Sequence, residues 1–203
     1  MRFVVACLLV WTAPAIGQEY TALEAGILDE MNLARTDPAA YARFLAELLP
    51  LFDGSILRRP GEIGIQTGEG PNAVREAIEY LRTAMPLDPL ERAAGLARAA
   101  RDHARDQGPI GGLGHTGRDG STMADRIARY VRWQGAISEN IDYGSATARH
   151  VVISLIVDDG VASRGHRTNV FNASSRYAGV GCGPHKTYRV MCVVDYAVGV
   201  AAR

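Results

Sequence analysis

Neither sign of charge is in excess: 22 lysine and arginine residues are matched by 22 aspartate and glutamate residues in a chain of 203. A nucleic-acid or anionic-membrane binder works through a basic surplus, so neither class is expected. Past the N-terminal segment no apolar run approaches the ~20 residues that cross a bilayer as a helix, so no transmembrane segment is expected. Aromatic residues are scarce at 7%. No internal repeat and no low-complexity tract is present, which sets aside solenoid and fibrous designs. What is abundant is ordinary for a folded protein: 47% hydrophobic and 22% charged residues. That composition excludes a mainly disordered chain. A chain of this length buries roughly 70% of its unfolded surface and supports one core without staples. With 22 glycines, it reads as a loop-rich domain rather than an all-helical bundle.

The N-terminus reads as an address. Met1-Arg2 is followed by the nine-residue apolar run Phe3 to Trp11, then Pro14 and the small residues Ala15 and Gly17. This is the pattern of a secretory signal peptide, residues 1–17, cut after Gly17 and leaving 18–203 as one domain with a formal charge of −1. Of the three cysteines, Cys7 leaves with that segment. Cys182 and Cys192 remain, an even pair for an oxidising compartment. They flank a hairpin turn expected at Gly183-Pro184, between strand-like runs 176–183 and 188–198. A disulfide across the two strands is expected, with two buried free thiols as the alternative.

Leu23, Ile27, Met31 and Ala34 recur at helical spacing. Asp37-Pro38 then reads as an N-cap and first helical position. Residues 50–70 are broken by glycine and proline into an irregular insertion with a small hairpin expected around Glu62 to Thr67. Helices are expected at 72–84 and from Asp88-Pro89 onward, and another capped by Ser121. Ser138 to Tyr143 reads as extended, and 146–158 as helix.

Five histidines divide by context. His103 lies within a helical pattern and reads as packed, while His150 and His185 read as solvent-exposed. His115 stands in the glycine-rich loop 108–120, and glycine permits close approach of backbone to a ligand. His166 follows the acidic pair Asp158-Asp159. Two imidazoles with carboxylates are the ingredients of a divalent metal site or an acid–base site. The G-x-G-x-x-G at Gly112 to Gly117 follows a helix, not a strand, and is not a dinucleotide fingerprint.

The order of these pieces carries more than any one of them. Asn32-Leu33-Ala34-Arg35, Leu96 to Ala104, Gly114-His115-Thr116, Asp125-Arg126-Ile127, Ser138-Glu139-Asn140-Ile141, Gly165 to Val170 and Gly179-Val180-Gly181 follow one another. The run resembles the CAP superfamily of cysteine-rich secretory, antigen 5 and pathogenesis-related proteins, on its bacterial SCP-domain branch. It covers residues 24–36 and 87–197. The resemblance implies an α+β fold, an α-β-α sandwich with a small central antiparallel sheet. It also implies a cleft with two histidines and two acids, which fall on His115, Glu139 and His166. Asp158 stands where the family often has the glutamate of W-x-x-E, with Asp159 as its rival and no tryptophan before it. The stretch 50–86 is longer than the family's usual connection, and either covers one mouth of the cleft or decorates the surface.

Three functions remain open at this point. One is a secreted binding module, extracellular or periplasmic, with a divalent metal such as Zn²⁺ on His115 and His166. Glu139 and Asp158 would orient the imidazoles, and the ligand would be a lipid, a glycan or a protein. The second is a hydrolase with Glu139 and Asp158 as catalytic carboxylates. The third is a cell-envelope interaction protein using the insertion, Ile63 and Ile65 included, as its contact surface.

Overall fold

The computed structural model describes the backbone of residues 16–202 and the side chains of residues 20–201. Residues 1–15, most of the expected signal peptide, lie outside the described residues.

Helix α1 (Ile16–Thr36) turns Ile27, Met31 and Ala34 fully inward. Asp37 then caps α2 (Pro38–Ala46), its carboxylate accepting from Ala40 N at 2.9 Å with Pro38 at the first turn. The insertion folds as three two-residue strands, β1 (Phe52–Asp53), β2 (Ile56–Leu57) and β3 (Ile65–Gln66), all antiparallel in that order. The expected hairpin at 62–67 is therefore displaced. The tight turn falls at Gly54, whose φ of +60° suits glycine, and β3 returns to pair with β2. Helix α3 (Pro71–Thr83) opens on Pro71 and packs Ala77, Ile78 and Leu81 into the core.

Asp88-Pro89 does not start a helix. Asn32 takes both backbone groups of Leu90, accepting from its N at 2.7 Å and donating to its O at 3.0 Å. Glu91 N then donates to Arg176 O, and β4 (Glu91–Arg92) pairs parallel to a later strand. Tertiary partners thus claim the groups a helical first turn would use, and α4 (Ala94–Gln107) begins later. The next cap is Thr122 rather than Ser121: Thr122 and Asp125 form a capping box for α5 (Met123–Ala128), while Ser121 N is bound by Asp119. The extended piece at Ser138 to Tyr143 is the end of a longer strand, β5 (Val131–Tyr143), followed by α6 (Ala148–Val157) and α7 (Gly165–Val170). Strands β6 (Tyr177–His185) and β7 (Arg189–Ala202) turn at 186–188, past the expected position, because Pro184 still pairs with Val190.

The main sheet runs β4-β6-β7-β5, antiparallel except for the short β4. Alternation along β7 divides the core. Cys192, Val194 and Tyr196 face α1, α3 and α6, whereas Met191, Val193 and Ala197 face α4 and α5. The result is the α-β-α sandwich. Gly179 and Gly181 let α4 lie directly on β6: a Cβ there would stand 2.0 Å from Ala97 N and 2.2 Å from Arg101 N. Cys182 and Cys192 are register partners and form a disulfide, which replaces the free-thiol alternative.

Closing a loop of this size stabilises by about 3 kcal/mol on the chain-entropy account. Cys182→Ala with Cys192→Ala is expected to lower unfolding stability by at least about that amount in urea titrations. An unchanged midpoint would show that the strand pairing alone holds β6 to β7.

Candidate functional site

Strand β5 is an edge strand of the main sheet. Glu139 projects to the α5 side of this edge, bonding Arg126, and Asn140 to the α1 and α7 side, bonding Tyr196 and His166 O. Over the edge lies an open cleft of about 440 Å³ lined by His115, Glu139, Val161, Ser163, Gly165, His166, Thr168 and Asn169.

The His115 side of the cleft is a loop whose backbone is tied down at successive residues. His185 Nε2 bonds Gly112 O at 3.0 Å, Tyr143 Oη accepts from Gly114 N at 2.9 Å, and His103 Nε2 bonds Gly114 O at 2.8 Å. Arg126 Nη1 donates to His115 O at 3.0 Å, and Gln107 Nε2 to Thr116 O at 3.1 Å. So anchored, the loop sets His115 Nδ1 2.8 Å from Glu139 Oε1, and Arg126 Nη2 donates to Glu139 Oε2 at 2.7 Å. Burial alone would raise the Glu139 carboxyl. The His115 bond and the Arg126 charge outweigh it and hold the group below the usual glutamate value. Arg126 thus serves Glu139, whereas Asp125 is spent on the α5 cap.

His103 is buried, as its helical context predicts. His185 is not exposed as expected. It is buried, its Nδ1 accepts from Thr187 N and Tyr188 N across the β6–β7 turn, and its ring packs on Tyr143 and Tyr188. His150 is half-buried beside Glu62.

The His166 side is built on the end of α6. Asp158 is its C-cap at φ 53°, left-handed for a non-glycine residue. Its carboxylate accepts from His166 N at 2.9 Å and stands 2.6 Å from His166 Nδ1. Asp159, the rival, points away and accepts from Gly68 N at 2.6 Å and Glu69 N at 2.8 Å. The structure thus sets His115, Glu139 and His166 in the lining of one cleft and Asp158 buried behind His166, as two imidazole–carboxylate pairs.

A model of the cysteine-rich secretory protein family, CAP, matches residues 75–196, more than half of the chain. The chain belongs to the CAP family. Among solved structures it is similar to an outer surface protein of Borrelia burgdorferi. That likeness has 22% identity and a TM-score of 0.46, over 55% of this chain and 78% of that one. It is also similar to an extracellular protein containing an SCP domain from Bacillus anthracis, at 20% identity and a TM-score of 0.44, over 61% of this chain and 38% of the other. No curated protein matches.

The insertion of this CAP domain neither covers the cleft nor merely decorates the surface. It supplies none of the cleft-lining residues and instead grips the loop 158–164 from behind. Arg164, left-handed at φ 50°, donates to Glu69, Glu76, Asp158 O and Val161 O. Arg167 is buried and bonds Glu76, Ile156 O and Val157 O, bracing the end of the preceding helix. Glu69 also accepts from Gly160 N. A strained loop held by several partners is the expected design of a positioned site. Ile63 at the tip of the insertion is 92% exposed and Ile65 45%.

One residue of the site escapes sequence reasoning. Asp195 on β7 is the register partner of Glu139 and is fully buried. The only signal is an acid inside the apolar run Val193 to Val198.

Arg164 and the Gly160 N–H hold the Glu69 carboxyl down to about 2. A depressed carboxyl contributes above its unfolded value, about 4.3, and its contribution is lost as pH falls through the folded value. The insertion should therefore keep its grip at pH 4 and release it toward pH 2, seen as amide exchange in 158–166. Glu69→Gln with Glu76→Gln is expected to speed that exchange at neutral pH and to lower Tm by about 2–4 °C. Exchange unchanged in the double variant would mean that the loop holds itself.

Proposed function

We propose that this CAP domain is a secreted binding module whose cleft holds a divalent cation, zinc fitting best, on Nε2 of His115 and of His166. The observation that carries this reading is the matched pair of imidazoles, each with Nδ1 against a buried carboxylate. An ionised carboxylate fixes the hydrogen on Nδ1 and leaves the Nε2 lone pair for a metal, the usual second layer of a histidine metal site. The donor set suits zinc. No group of three His, Cys, Asp or Glu side chains that could hold a metal is assembled among the described residues. Two protein ligands imply modest affinity and leave positions for water or for a donor atom of the ligand. Bound there, the cation would act as a Lewis acid toward an oxygen or nitrogen of a lipid, glycan or protein partner.

Binding is favoured over hydrolysis by the carboxylates themselves. Glu139 spends one oxygen on His115 and the other on Arg126, and both Asp158 oxygens are engaged by His166. Every one of these oxygens already accepts a hydrogen bond, which lowers its basicity toward an attacking water, so catalytic roles for Glu139 and Asp158 rank second. Export is supported by the N-terminal sequence pattern and by the disulfide, and no described helix is long and apolar enough to cross a membrane.

Calorimetric titration with Zn²⁺ tests the reading. Saturable binding is expected in the wild-type protein and its loss in His115→Ala with His166→Ala, which should still unfold cooperatively because both rings are partly exposed. Glu139→Gln is expected to weaken binding by about 10–100-fold. Binding that survives in the histidine double variant, or none in the wild type, would overturn the metal site.

A further inference from the structure

Behind Glu139 the sheet holds a second carboxyl that has no donor. Asp195 is fully buried, and neither of its oxygens meets a hydrogen-bond donor. Its strand neighbours explain why. On one side it faces Gly179 of β6, which has no side chain, and on the other it faces Glu139 of β5. Side chains of paired residues lie on the same face of an antiparallel sheet, close enough to touch.

The charges around it do not compensate a second anion. From α5 comes Arg126, whose Nη1 donates to His115 O and Ser121 O and whose Nη2 donates to Glu139, while its Nε bonds nothing. From α4 comes His103, which bonds Gly114 O through Nε2; burial, the larger influence, lowers its pKa and favours the neutral ring. A neutral imidazole with its hydrogen on Nε2 offers Nδ1 only as an acceptor. One arginine therefore faces two carboxyls, and Glu139 already accepts from both His115 and Arg126 while Asp195 accepts from nothing. A buried carboxylate without a donor protonates instead.

We infer that Asp195 is a buried carboxylic acid at neutral pH that donates its hydrogen to the Glu139 carboxylate, and so acts as a positioning residue for the His115–Glu139 pair. Burial and the neighbouring Glu139 both push the Asp195 carboxyl well above the ordinary aspartate value, in agreement with this geometry. The proton belongs to the pair as a whole and sits on the Asp195 side, because the Glu139 side has donors of its own. Glu139 then carries one negative charge and three donors: Arg126, His115 Nδ1–H and Asp195 O–H. Its carboxylate is fixed in rotation, which keeps the His115 hydrogen on Nδ1. The inference deepens the cleft proposed above, but its core, the place of one proton, does not need a metal.

The deciding measurement is the side-chain carboxyl ¹³C resonance of Asp195 in the wild-type protein, assigned through its own Cβ and followed from pH 3 to pH 8. The expected result is a protonated-acid shift at pH 7, with no inflection near about 3.9, the ordinary aspartate value, and with Glu139 ionised at the same pH. An ionised Asp195 at pH 7, or a protonated Glu139 beside it, would overturn the inference. Stability gives a second readout. A carboxyl whose folded pKa is raised weakens folding as pH climbs from its unfolded value toward its folded one. Asp195→Asn, which keeps a donor toward Glu139 but has no proton to lose, should therefore gain in Tm relative to wild type at pH 8 over pH 4. An equal loss at both would count against it. The positioning role is read from the His115 ring ¹⁵N shifts without metal. Wild type and Asp195→Asn should show the Nδ1–H tautomer and Asp195→Ala a mixture. The pure tautomer in Asp195→Ala would remove the role. None of these readings depends on Zn²⁺ binding, so failure of the metal site and failure of this inference are separable.

Discussion

A carboxylate taken out of water must find donors, and Glu139 meets that requirement in a way that dictates its surroundings. Arg126 answers one oxygen and His115 the other. Arg126 reaches the site from a six-residue helix that starts on a Thr122–Asp125 capping box, and it also holds His115 O and Ser121 O. The arginine thus neutralises the anion and shapes the loop that brings the histidine to it. Breaking such a buried pair on one side costs more than its net contribution, since the partner is left charged and unpaired. The loop, α5 and the β5 edge therefore stand or fall together around one anion.

The glycines of β6 make this arrangement possible. Gly179 and Gly181 allow the α4 backbone to lie on the strand, which lowers His103 to the level of the loop, where it bonds Gly114 O. Gly179 also leaves the flank of Asp195 without a side chain. The same small residues that permit the close packing of helix on sheet create the polar cluster behind the cleft. On the opposite face the apolar set Cys192, Val194 and Tyr196 packs on α1 and α6, with Tyr196 Oη satisfied by Asn140. One layer carries the electrostatics of the site and the other carries most of the hydrophobic burial.

The fold was legible where local signals and tertiary demands agree. Asp37-Pro38 caps and opens a helix, and Cys182 and Cys192 oppose each other across a hairpin, because nothing distant competes for those groups. Asp88-Pro89 carries the same local signal and fails, since Asn32 and Arg176 claim the backbone on either side of Leu90. His115, Glu139 and His166 come from the family resemblance that the order of short motifs carries, and that resemblance left the fourth position open between Asp158 and Asp159. Their bracing was not legible. Asp195 reads as one acid in an apolar strand, and only the register reveals that it faces Glu139. His185 sits in a polar stretch that suggests exposure, and its burial depends on Tyr143 and Tyr188 arriving from elsewhere.

The insertion sharpens what kind of cleft this is. A lid would place apolar side chains over the histidines and exclude water, which is how closing loops assist chemistry. Here residues 68–76 bind the outer side of the loop 158–164 through Asp159 and Arg164, and the start of α7 through Arg167, and the cleft keeps its open mouth. Asp158 and Arg164, both left-handed, bracket that loop, and its shape is held from outside by charges that never enter the cleft. Rigidity is thus invested in presenting His166 at a fixed place to solvent, not in enclosing a substrate. A fixed, open and carboxylate-braced pair of imidazoles suits capture of an external group. Chemistry that needs a dry site and a free base would require Glu139 to give up one of its bonds.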